Sequence, residues 1–80
     1  MTRFYDLIPT DGRKSFYGKA KVLVNDNTQT LYSYDTAIMI LSHGVYYRLW
    51  DGWTSTTGRH IKAFSNLNKQ GYFDLPKYQG

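Results

Sequence analysis

The stretch "SFYGKAKVLVNDNTQTLYSY", residues 15–34, decides the fold class. Gly18, Ala20, Val22 and Val24 fall on one side of an extended chain, and Tyr17, Lys19 and Lys21 on the other. This is the period of two that a half-buried strand requires. "NDN" is a tight turn, and "TQTLYSY" returns antiparallel as far as Asp35. Such a hairpin commits the chain to a sheet.

Downstream, the apolar run "AIMIL", 37–41, is too short for its period to separate strand from helix. Its branched side chains and the turn "SHG" after it favour a strand; a helix of one or two turns is the alternative. "VYYRLW" sets Val45, Tyr47 and Leu49 against Tyr46, Arg48 and Trp50, and Asp51-Gly52 stops it. Ser55 or Thr57 can cap a helix by accepting from an unpaired backbone amide, and that helix is expected to continue to about Asn68 before Gly71 ends it. At about 100° per residue, Thr57, His60, Ile61, Phe64 and Leu67 share one arc, with Arg59, Lys62, Asn66 and Lys69 opposite.

Upstream, Pro9 and Asp11-Gly12 carry turn chemistry, so residues 1–14 read as a loop or edge segment. Residues 72–80, "YFDLPKYQG", read as an extended tail. The expected architecture is one small α+β domain over residues 1–80. It has a three- to four-stranded antiparallel sheet of hairpins with one C-terminal helix packed on it.

Composition bounds the function. A chain of 80 residues leaves little room for a deep substrate cleft. No cysteine is present, which rules out disulfides, thiolate nucleophiles and cysteine-ligated zinc. No apolar segment of signal-peptide or membrane-spanning length occurs, and the chain reads as cytosolic. The formal charge of +4 favours anionic partners without specifying nucleic acid. All six acids are aspartate, which suits turns and caps, and fourteen aromatics, eight of them tyrosine, suit strands and contact surfaces.

Three constellations can carry chemistry. Tyr17, Lys19 and Lys21 from one strand, with Tyr46, Arg48, Trp50 and the nearby Trp53, form a basic and aromatic partner-binding surface. Rings and cations so interleaved suit single-stranded nucleic acid, and they suit a protein interface equally. The alternative is a second packed layer. Ser55, Thr56, Thr57, Gly58 and Arg59 make a candidate anion site at a helix start, with Gly58 admitting an anion to the backbone; capping explains the same hydroxyls. Arg59, Lys62 and Lys69 form a basic helix stripe. His60 lies in the apolar arc and reads as a packed, hydrogen-bonded histidine, while His43 sits in a turn. Two histidines without carboxylate spacing make a poor metal site, and no metal or cofactor is expected. Catalysis would require His60 to be exposed beside a carboxylate such as Asp51.

"DGRKSFYGKA", "LYSYDTAI" and "YYRLWDGWTSTTGRHI" resemble a family of small uncharacterised proteins of phages, plasmids and low-GC bacteria that carry an R-L-W-x-G-x-[ST]-x-T-T-x-x-H segment. The likeness covers residues 11–64. Tyr17, Gly18, Tyr32, Tyr34, Arg48, Leu49, Trp50, Gly52, Thr56, Thr57 and His60 match, whereas Ala37 stands where proline is expected in several relatives. The resemblance assigns none of these a role. It implies a non-enzymatic accessory protein of a phage or mobile element that binds a host macromolecule, a protein or protein–nucleic acid complex, and can inhibit a host defence system; such a protein would work in the host cytoplasm. The alternative is a small nucleic-acid- or nucleotide-binding module using Lys19, Lys21, Arg48, Arg59 and Lys62.

Overall fold

The structure, a computed structural model, describes residues 3–7 and 18–79. Five strands, β1 (Arg3–Asp6), β2 (Ala20–Asn25), β3 (Thr28–Ser33), β4 (Thr36–Ser42) and β5 (Val45–Arg48), form one antiparallel sheet in chain order. Helices α1 (Ser55–Ser65) and α2 (Lys69–Phe73) follow. The α+β class and the helix-bearing sheet agree with the sequence reading, which had three or four strands and one helix. Tyr17, Pro9 and Asp11-Gly12 lie outside the described residues.

The hairpins obey local turn chemistry. His43 and Gly44 both take positive φ, 50° and 83°, the pair that a tight turn with right-handed strand twist demands. At the β3–β4 turn it is Tyr34 that takes positive φ, 57°. "AIMIL" is strand, and its lack of alternation has a cause. The β3–β4 register shifts between Leu31 and Tyr32, so Ile38 and Met39, neighbours in sequence, both enter the core. Val22, Leu31, Ile38, Met39, Ile61 and Tyr72 form that core, between the helices and one face of the sheet.

The helix boundaries differ from expectation at both ends. The N-cap is Thr54, whose Oγ1 accepts from the Thr57 amide at 3.0 Å, and neither of the expected Ser55 and Thr57. Asn66 takes the left-handed conformation at φ 63° and ends α1, its amide donating to the Lys62 carbonyl at 2.8 Å. Asparagine tolerates that conformation almost as glycine does, so the chain turns there and not at Gly71. Asn68 then caps a second helix within which Gly71 lies. The expected tail beginning at residue 72 therefore starts later. Its distal part runs beside β5: the Arg48 amide donates to the Pro76 carbonyl at 2.8 Å and the Tyr78 amide to the Arg48 carbonyl at 2.9 Å.

Candidate functional site

The apolar arc of α1 is placed as its spacing predicts. Thr57, His60 and Ile61 are buried, and Phe64 and Leu67 pack against the core. His60 is 1% exposed. Its Nδ1 shares a hydrogen bond of 2.9 Å with Ser33 Oγ, which also lies 3.2 Å from Thr57 Oγ1. Burial, aided by the charges of Arg59 and Lys19, holds the imidazole below its ordinary pKa. A serine bonded to a histidine is half of a nucleophilic pair, but Ser33 is itself buried at the helix–sheet seam, where no substrate reaches it. The network ties α1 to β3. Asp51, the carboxylate that catalysis would need, instead bridges Lys77 Nζ and Arg48 Nη1, each at 2.6 Å. The Lys77 hydrogen bond, with Arg48 beside it, holds its carboxyl below the usual carboxylate range.

Much of the expected partner surface turns inward. Tyr46, Trp50 and Trp53 pack against the core: Tyr46 meets Phe64 edge-on at 5.9 Å, and Trp53 lies 5.9 Å from the Tyr72 ring. The alternation along β5 is as expected, but its sides are exchanged, and Val45 is 48% exposed. The helix side of β5 is lined with rings because α2 and Phe64 supply rings to meet them. Arg48 is held as a clamp, with Nε donating to the Leu75 carbonyl at 3.3 Å and the guanidinium 5.7 Å from the Phe73 ring centre.

The candidate anion site is occupied by the protein itself. The Thr57 amide is bound by Thr54, and the Gly58 amide donates to the Thr54 carbonyl at 2.8 Å. The space that Gly58 leaves belongs to Trp53, whose Cζ2 would stand 2.5 Å from an added Cβ. Ser55 and Thr56 remain exposed at the helix start. Capping and ring packing thus account for this stretch. The basic stripe is divided, Lys62 exposed on α1 and Lys69 exposed on α2, with Arg59 half-buried.

Lys21 stands where alternation puts it, on the sheet face opposite the helices, and Lys19 lies just before β2. Cross-strand register places Phe4, Leu23 and Thr30 in one row of that face, and Asp6, Lys21 and Tyr32 in the next. Phe4 and Tyr32 approach at 5.8 Å between ring centres, and Lys19 Nζ lies 5.9 Å from the Tyr34 ring centre. Phe4, Gly18, Lys19, Lys21, Tyr32, Tyr34 and Asp35 enclose a groove of about 530 Å³. Phe4 is 58% and Tyr34 54% exposed.

The sequence reading found the lysines and missed three rings. Tyr32, opposite Lys21 in the β2–β3 register, could have been found from the hairpin alone, whereas Tyr34 lies just past β3 at a positive φ, its ring 6.3 Å from His60. Phe4 had no such signal, because its strand is defined only by pairing with β2. Among the described residues no group of three or more histidines, cysteines or acids is placed to hold a metal, and no helix is long and apolar enough to cross a membrane.

No curated protein and no solved structure matches the chain. A family model does, over residues 5–76, which takes in β2 to β5, both helices and the Arg48–Asp51 clamp but not Phe4. By that match the chain belongs to DUF8033, a family of unknown function.

Proposed function

We propose that this chain is a non-enzymatic accessory protein that binds a host macromolecule through the sheet face carrying Phe4, Lys19, Lys21, Tyr32 and Tyr34. The observation that carries the reading is the groove: exposed rings and two lysines converge on one concavity, while Tyr46, Trp50 and Trp53 pack against the core and Arg48 pairs with Asp51. Exposed aromatics beside cations are the usual anchors of recognition surfaces. The resemblance to small phage and plasmid proteins supports a partner in the host, a defence system included.

The test is retention from bacterial lysate on the immobilised chain, compared with the triple variant Lys19→Ala, Lys21→Ala, Tyr34→Ala. These side chains lie at the surface, so the variant is expected to fold as the parent does, checked by its circular dichroism. A macromolecule held by the parent and lost by the variant supports the reading; retention indifferent to all three changes refutes it.

A further inference from the structure

We infer that the occupant of this groove is single-stranded nucleic acid, with one base stacked on Tyr34, another against the Phe4–Tyr32 pair, and the intervening backbone held at Lys19 and Lys21. The inference rests on the reading of the groove as the binding surface and names its ligand.

Three observations converge on it. The first is charge: both lysines are exposed at the groove, where they can hold phosphates. Asp35 at the same groove and Asp6, opposite Lys21 in the β1–β2 register, oppose a uniformly anionic ligand. A nucleic acid answers both signs, because phosphates suit the lysines while base amino groups can donate to carboxylates. The second is the rings. Phe4 and Tyr34 leave more than half their surface in water, with the Phe4 ring 5.8 Å from Tyr32 and the Tyr34 ring 6.3 Å from His60 between ring centres. A flat, sequence-tolerant π-face is what an unstacked base supplies, and duplexes hide such faces within their stacks.

The third observation is the backbone of Tyr34. A bulky residue at φ 57° is an outlier that glycine, asparagine or aspartate would remove. Retained strain of this kind marks positions where the side chain serves something other than the fold. Here it presents a ring to the groove with a lysine beside it at 5.9 Å.

The experiment is fluorescence anisotropy of the full chain with a labelled oligothymidylate of about twelve nucleotides, within the range that one single-strand site spans. A duplex of the same length and a polyaspartate peptide serve as competitors. The affinity is expected to fall between about 50 and 200 mM salt with a log–log slope near −1.4, about 0.7 for each phosphate neutralised by a lysine, and Lys19→Ala or Lys21→Ala to reduce that slope by about half. Tyr34→Ala should weaken binding roughly 5- to 150-fold, and Tyr34→Phe should retain it, since stacking needs the ring and not the hydroxyl. Tyr34→Gly relieves the strained φ but removes the ring beside His60, so the variant should still fold, checked by its circular dichroism and melting, while binding is lost. No oligonucleotide binding by the folded chain overturns the inference. If the lysate partner is then still lost in the triple variant, the groove reading stands with a protein ligand; if it is not, both fall. Duplex or polyaspartate competing as well as single strands also overturns it, by showing that stacking contributes nothing.

Discussion

Replacing Tyr72 by phenylalanine probes the joint between α2 and the sheet. Tyr72 is 0% exposed, and its hydroxyl reaches the Ile38 carbonyl at 2.8 Å and the Trp50 carbonyl at 2.5 Å. One proton serves two acceptors. The Ile38 oxygen also receives the Leu49 and Trp50 amides, so it keeps partners when the hydroxyl goes. The Trp50 oxygen is the one left worse off. A buried acceptor stripped of its donor costs about 1–3 kcal/mol, and the ring remains to fill its space. For a domain of this size, each kcal/mol is about 4–8 °C of melting temperature, so Tyr72→Phe is expected to melt roughly 4–24 °C lower.

The same hydroxyl gives a second readout through pH. Burial pushes the Tyr72 phenol up from 10.0 to about 12, against the opposing Trp50 bond. In the unfolded chain the phenol ionises near its ordinary value, while the folded state keeps it protonated. The stability it supports is therefore complete below pH 10 and lost as pH rises through about 12. The loss is on the order of 2 to 3 kcal/mol. Urea titrations of parent and variant at several pH values from neutral to 12 measure this, because the other seven tyrosines are common to both and cancel in the difference. The two stabilities should converge as the pH approaches 12. Parallel curves throughout, or a variant as stable as the parent at neutral pH, would refute the placement of this hydroxyl.

Three further outcomes are expected. Burial holds the His60 pKa below its ordinary value of 6.5, so its contribution is present above that pH and lost as pH falls through the depressed folded value. Urea midpoints of the parent should drop on acidification in that window, and those of His60→Gln should drop less. Thr54→Ala should cost about 1 kcal/mol through loss of the cap, whereas Ser55→Ala changes little; equal effects in thermal melts would contradict the cap assignment. Gly58→Ala should destabilise by about 1–2 kcal/mol, the overpacking against Trp53 exceeding the gain in helix propensity, with a red-shifted tryptophan emission as the ring is displaced.

The central strands were legible because alternation is a local property: Ala20, Val22 and Leu31 are buried where their period puts them. The same period along β5 named the two sides correctly and chose the wrong one as core. An aliphatic side was taken to face inward, yet what Tyr46 and Trp50 pack against is set by Phe64 and by α2, distant in sequence. The helix end was misjudged for a similar reason. Both Asn66 and Gly71 are competent stops, and the left-handed turn at Asn66 was selected because it lets Tyr72 reach Ile38. In the groove, the lysines declared themselves by alternation, whereas Phe4 joined them only through strand pairing.

The sheet is a meander, so each strand's partner is the next one along and can form as soon as its turn closes. The Tyr72 bond to Ile38, in contrast, spans 34 residues of chain. Loop closure of that length comes late on a folding path dominated by near neighbours. Tyr72→Phe should therefore leave the folding arm of a chevron nearly unchanged and steepen escape from the native state. The Tyr72 hydroxyl is thus expected to lengthen the life of the folded protein more than it hastens its making.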